Sequence, residues 1–238
     1  AEELTMGLQQ GRRKSFKRMG KEYERLSAHI GAFPLVMASP ADSALVTGTG
    51  EERRRFMDQV ISQGDPVYLD ALIRYNRSLQ QRNRMLRDHI VDHGLYEAVE
   101  MAMEGAAAYI TRARKAWVDE LTGIFGRYYH AVASPDEVPS LTLDGHTASG
   151  TPLRELLDSA RRHDEIVGHT SVGPHRDDLD LRLDGMGVRR TASQGQQKTY
   201  VLALRLAQYE FLARATGLKP LLLLDDVFDK LDATRVER

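Results

Sequence analysis

"KPLLLLDD", residues 219–226, is the stretch on which the fold turns. Four consecutive leucines follow a Gly/Lys/Pro break and end in two aspartates. A short run that is apolar on both faces predicts a buried strand inside a parallel sheet, and hence an α/β protein. Ligands of such sheets sit at the carboxyl ends of the strands, where Asp225 and Asp226 fall. A carboxylate in that place is costly to desolvate unless a cation pairs with it. Beside nucleotide phosphates the usual cation is Mg²⁺, held by one or two carboxylates and several waters. Asp225 would hold the metal, directly or through water. Asp226, whose side chain points elsewhere, would orient or deprotonate a water. The plainer reading is a pair of aspartates capping the next turn.

Upstream, "TASQGQQKTY" (191–200) sits between a strand-like stretch and a long apolar-periodic run. Ser193 can cap a helix that begins near Gly195 and runs to about Thr216, burying Tyr200, Leu204, Ala207 and Phe211. The free N–H groups and dipole of such a helix end attract an anion, and Gly195 lets backbone approach a ligand closely. Taken alone, the stretch is an ordinary N-cap.

Working outward, "DDLDLRLDGMGVRRTAS" reads as a β-hairpin with Leu179, Leu181 and Leu183 on one face. The middle of the chain is helical. Asp65 and Pro66 open one helix, with Tyr68, Leu72, Tyr75, Leu79 and Leu86 at helical spacing. A second long helix carries a stripe from Val99 through Met103, Ile110, Trp117 and Leu121 to Tyr128, read as core. The two form an antiparallel hairpin joined at "DHG". "TPLRELLDSARRHDEIVGH" adds a third helix, with Thr151 as cap and Pro152 in its first position. Near the start, "FPLVMAS" (33–39) reads as a buried strand.

The 238 residues, 42% hydrophobic, suit one large domain or two small ones. With no cysteine, disulfides and thiolate metal sites are excluded, which fits a cytoplasmic protein. No run approaches the ~18 apolar residues of a membrane helix. The net charge is −1, so there is no global basic field. Local arginine clusters do occur at 12–18, 53–55 and 74–87. Each is either a solvated face or, on a shared surface, a place for nucleic-acid phosphates.

The ordered set "SQGQQ", "LLLLDD" and "KLD" resembles the signature motif, Walker B strand and D-loop of an ABC-type ATPase head. "FPLVMASPADSALVTGTGEERRRFMDQ", "YNRSLQQRNRML", "GHTSVGPHRDDL", "ASQGQQKTYVLALRLAQ" and "LLLLDDVFDKLD" resemble, in the same order, stretches of the RecF family. That resemblance implies an α/β ATPase head with a helical insertion. Residues 1–55 would belong to lobe I, 56–165 to a helical lobe II arm that helps to clamp DNA, and 166–238 would return to lobe I. It implies ATP and Mg²⁺ as cofactors, single- or double-stranded and gapped DNA as a ligand, a homodimer when ATP is bound, and RecO and RecR as partners. Carried over, Ser193, Gly195 and Gln196 would contact the γ-phosphate of ATP held by the partner subunit. Asp225 would serve Mg²⁺, Asp226 would take the place of a catalytic glutamate, and Asp232 would lie in the D-loop at the interface. A structural or DNA-facing role is open to His175 and Arg176, within "GPHRDD", and no catalytic role follows for either.

The departures are also readable. The family's P-loop, G-x-x-x-x-G-K-[ST], does not occur in this sequence. The chain opens on Ala1 and stops inside helical text, so both ends read as cut. The full-length protein is then expected to be a weak ATPase, and this chain inactive alone. Gln194 stands where the common signature has glycine, and Asp226 is one methylene shorter than glutamate. Two other readings compete: a non-enzymatic interaction module, and the head of a different ABC or SMC-type ATPase.

Overall fold

The computed structural model describes residues 3–8, 11, 15–133 and 136–225. The leucine run forms β8 (Leu221–Leu224) and pairs in parallel with β4 (Leu35–Ala38), Leu35 facing Leu221 and Ala38 facing Leu224. The ladder continues past the strand through the Asp225 N–H, which donates to the Ala38 carbonyl at 2.9 Å. The parallel pairing expected of this strand is present, but its burial is not. The four leucines are between 37% and 61% exposed. Among the described residues β8 pairs with β4 alone and has no helix layer over it. Alternation along β4 buries Val36 and Ala38 and leaves Leu35 and Met37 uncovered.

Two antiparallel sheets complete the strands. One joins β1 (Leu4–Gly7), β2 (Ser15–Arg18) and β3 (Lys21–Glu22). The other joins β5 (Pro139–Asp144), β6 (Asp178–Leu183) and β7 (Met186–Gly187). The β6–β7 hairpin buries Leu179, Leu181 and Leu183, as the alternation predicts.

After β4 come the short α1 (Ala44–Thr47) and then α2 (Gly50–Gly64), which starts in a Thr49/Glu52 capping box. Helix α3 (Pro66–Arg87) starts where Asp65 accepts from the N–H groups of Val67 and Tyr68. Helix α4 (His93–Val132) is 40 residues long, about 60 Å, and runs back along α3. Its stripe is core: Met103, Ile110 and Leu121 are fully buried, and Trp117 nearly so. Helix α5 (Leu153–Val167) packs on both. Its N-cap is Pro152, without a side-chain bond, so Thr151 does not cap it. The Thr151 hydroxyl instead meets that of Ser149 at 3.2 Å. Helices α6 (Val188–Thr191) and α7 (Gln194–Thr216) follow, and α7 packs along α4.

Two buried guanidinium groups knit this frame. Arg82, from the arginine-rich stretch of α3, turns inward to Glu100 at 2.9 Å, Asp164 at 2.7 Å and the Thr170 hydroxyl at 2.8 Å. Arg114 joins α4 to Asp58 of α2 at 2.8 Å, the Tyr68 hydroxyl at 3.0 Å and the Pro174 carbonyl at 2.6 Å.

Removing Arg82 leaves Asp164 and Glu100 without their shared cation in the core. Arg82→Ala is expected to cost about 3–5 kcal/mol in urea unfolding, whereas exposed Arg84→Ala should cost less than about 1 kcal/mol. Equal losses would mean that the buried network carries no such energy.

Candidate functional site

The first turn of α7 is where the signature-like stretch falls. Ser193 is the N-cap, and its Oγ accepts from the Gln196 N–H at 3.2 Å. The Gln196 side chain turns back, its Oε1 accepting from the Ser193 N–H at 2.8 Å. Its Nε2 donates to Glu137 at 3.1 Å. The stretch is therefore a full capping box. It is also more than that. The N–H groups of Gln194 and Gly195 have no acceptor among the described residues, and Ser193 and Gln194 are exposed. With its oxygen accepting from Gln196, the Ser193 hydroxyl keeps its proton to donate outward. The turn thus offers two backbone donors, one hydroxyl donor and the positive end of a 23-residue helix.

Aromatic packing fixes this end in place. The Tyr200 ring lies 4.7 Å from that of Phe125 and 5.8 Å from that of Tyr129, both on α4. Its hydroxyl donates to the Ser140 carbonyl of β5 at 2.7 Å.

Asp225 occupies the second candidate position, at the carboxyl end of β8. Its side chain is exposed and has no ion-pair partner among the described residues. At the end of the paired strand β4, Asp42 closes a capping box on Ser39. Both Asp42 oxygens accept from Arg205 of α7, at 2.6 and 3.0 Å, and the same guanidinium reaches Gln208 at 2.8 Å. The Asp42–Arg205 pair was not legible in the sequence. Its members stand 163 positions apart, and "SPADS" reads as plain turn chemistry.

No hydrogen bond or ion pair joins Ser193 to Asp225 among the described residues. Twelve residues of helix separate Ser193 from Arg205, about 18 Å, and Arg205 already marks the end of the strand pair. Asp226 and Asp232, the other two predicted site residues, lie outside the described residues. No group of three metal-ligating side chains occurs among the described residues. A single open carboxylate fits a Mg²⁺ that keeps most of its waters, rather than an all-protein cage.

A cleft of about 930 Å³ opens beside the strand ends, between β4, α2 and α3, and reaches Asp42, Arg54, Arg114, His175 and Arg205. Arg54 donates to the Asp177 carbonyl at 2.8 Å and has no carboxylate partner among the described residues. "GPHRDD" (173–178) forms one wall. Gly173 has φ 124°, and a Cβ there would lie 2.5 Å from the Tyr75 hydroxyl, so the turn admits only glycine. Asp178 takes Arg53 in a bidentate pair, and Asp177 accepts from Thr147 at 2.6 Å. Burial pushes the Asp177 carboxyl up.

His175 Nε2 lies 3.0 Å from the Thr170 carbonyl, which only accepts, so that nitrogen carries the proton and Nδ1 accepts from Tyr75 at 2.7 Å. Burial first, then the nearby charges of Arg176 and Arg54, lower its pKa to about 4. The histidine is a neutral strut. An unfolded histidine takes up a proton near pH 6.5 and this one does not, so its share of the stability is lost as pH falls from 6.5 towards 4. His175→Gln should flatten that part of a stability–pH curve measured by urea unfolding. An unchanged slope would contradict the neutral-strut assignment.

No family model matches the sequence. Curated relatives do. The chain is 48% identical over 238 residues to the DNA replication and repair protein RecF of Bacteroides fragilis (strain YCH46), covering all of this chain and 64% of that protein. It is 45% identical over 236 residues to RecF of Porphyromonas gingivalis (strain W83), with 99% and 65% covered. Among solved structures it superposes on the recombination mediator RecF bound to ATP, of the RecFOR pathway, with a TM-score of 0.90 at 27% identity. It covers 99% of this chain and 66% of that one. The RecF–ATPrS structure gives 0.88 at 27% identity. The chain thus spans just under two thirds of the length of the curated relatives it matches. With its α/β frame, its helical insertion and its signature-like helix end, this chain belongs to the RecF family.

Proposed function

We propose that this chain supplies the signature helix and the metal-side strand of an ATP-operated DNA clamp, acting in recombinational repair at replication gaps together with RecO and RecR. One observation carries the reading. Ser193 and Asp225 each present open polar groups, one at a helix start and one at a strand end, with no contact between them among the described residues. On this reading they serve one nucleotide from two copies, Asp225 from one and the Ser193 turn from the other. The solved relatives were captured with ATP and with ATPrS, which supports a nucleotide as the ligand.

When bound, ATP with Mg²⁺ supplies a terminal phosphate whose removal ends the bridge between copies. The chain's residues have separable parts in this. The Ser193 hydroxyl and the N–H groups of Gln194 and Gly195 donate to the terminal phosphate across the interface. Asp225 ligates the metal from the strand end. Asp226 orients or deprotonates the attacking water, and Asp232 holds the interface near it. Gln196 keeps the turn in shape through Ser193 and Glu137, so its contribution is to position the donors. ATP then works chiefly as a switch between one copy and two.

The test uses the full-length protein and its Ser193→Arg variant, followed by light scattering with ATP, Mg²⁺ and no DNA. ATP should double the mass of the first and leave the second unchanged. Doubling in both would end the role given to the α7 turn. Asp225→Asn should weaken Mg²⁺-dependent nucleotide binding about tenfold or more while leaving Mg²⁺-free binding in place. Equal binding with and without Mg²⁺ in both proteins would remove Asp225 from the metal.

A further inference from the structure

The sequence contains several arginine clusters, and the structure tells them apart. Arg53 and Arg54 are committed internally, to Asp178 and to the Asp177 carbonyl. Arg55 pairs with Glu51 at 3.1 Å. Helix α3 is different. From Ala71 to Arg87 it contains five arginines and no acidic residue. Arg82 turns into the core, while Arg74, Arg77, Arg84 and Arg87 are all exposed. At 100° per residue these four fall within an arc of about 140°. They extend over about 20 Å of helix. Gln80 and Gln81 fill the positions between them and are exposed as well.

The charges on this face are largely uncompensated. Arg84 meets Asp88 at 3.5 Å with both side chains in solvent, a pair of little energy. Arg74 reaches only the Asp70 carbonyl, at 3.4 Å. Arg77 and Arg87 have no carboxylate partner among the described residues. A row of like charges with no acid between them costs self-repulsion unless a polyanion answers it. Phosphates of one DNA strand follow each other every ~3.4 Å along the axis, so ~20 Å of helix matches about six of them. The glutamines supply neutral donors to sugar and phosphate oxygens between the cations.

We infer that the exposed face of α3, through Arg74, Arg77, Arg84 and Arg87, is the surface that lies along the phosphate backbone of DNA. The inference rests on the DNA-clamp reading and names the part of the arm that makes the contact. The contact is sequence-independent, because the row's cations and amides answer phosphate and sugar oxygens; Ile73, 49% exposed, borders it at the amino end.

The experiment uses the full-length protein, a variant with Arg74, Arg77 and Arg84 all changed to Ala, and a second with the same three changed to Lys. Affinity for a fluorescein-labelled duplex with a gap is read by anisotropy in ATP and Mg²⁺ from 50 to 300 mM salt. The Ala variant should bind about 10- to 100-fold more weakly, with a log–log salt slope smaller by about 2–3. The Lys variant should keep both, and ATP-driven mass doubling should be unchanged in each. Undiminished binding and slope in the Ala variant would overturn the inference, leaving the row as a solvated face or a seat for an acidic protein. If the unmodified protein itself fails to bind the duplex, the clamp reading falls instead.

Discussion

A guanidinium sealed from water is costly unless protein answers its donors, and the answer to Arg114 ties four segments of this chain together. Its partners come from α2, α3 and the loop before β6, and it projects from the middle of α4. Each of those segments is placed by the need to satisfy one cation. Asp58 and Pro174 then locate the cleft wall, Tyr68 locates the start of α3, and α4 locates α7 through Phe125, Tyr129 and Tyr200. The open end of α7 is a late consequence of this chain of constraints. Its Ser193 turn is exposed because the helix is held along its length from behind.

Local chemistry was the legible part. The Asp65 and Ser193 caps, the leucine alternation of β6 and the α4 stripe all follow from spacing and side-chain type. The parallel pairing of β8 was also readable, since four successive leucines admit little else. Its burial was not. A run apolar on both faces says that the strand tolerates cover on both sides, not which elements of this chain provide it. Thr151 misled for a related reason: a threonine before a proline looks like a cap, yet Pro152 itself ended at the capping position.

The long-range electrostatics were invisible. Nothing in "SPADS" announces a bidentate partner on α7, and nothing in "YNRSLQQRNRML" marks Arg82 as the one arginine that turns inward. Helical phase orders the arginines around α3, but only the carboxylates of α4 and α5 decide which phase faces the core. Of the site residues, Ser193, Gly195, Gln196 and Asp225 fall where the motif reading put them, at a helix start and a strand end. The Gln196 side chain is turned to Ser193 and Glu137. A capping box competes for the same amide that a phosphate would use, and spacing alone cannot rank the two.

Helix α4 is continuous over 40 residues, with its carboxyl end packed against the first turns of α7 and its amino end beside the turn that closes α3. In mechanical terms it is a beam of about 60 Å, clamped near mid-span where Arg114 meets Asp58, Tyr68 and the Pro174 carbonyl. Any displacement of one of its ends must therefore be shared with α2, α3 and the loop before β6.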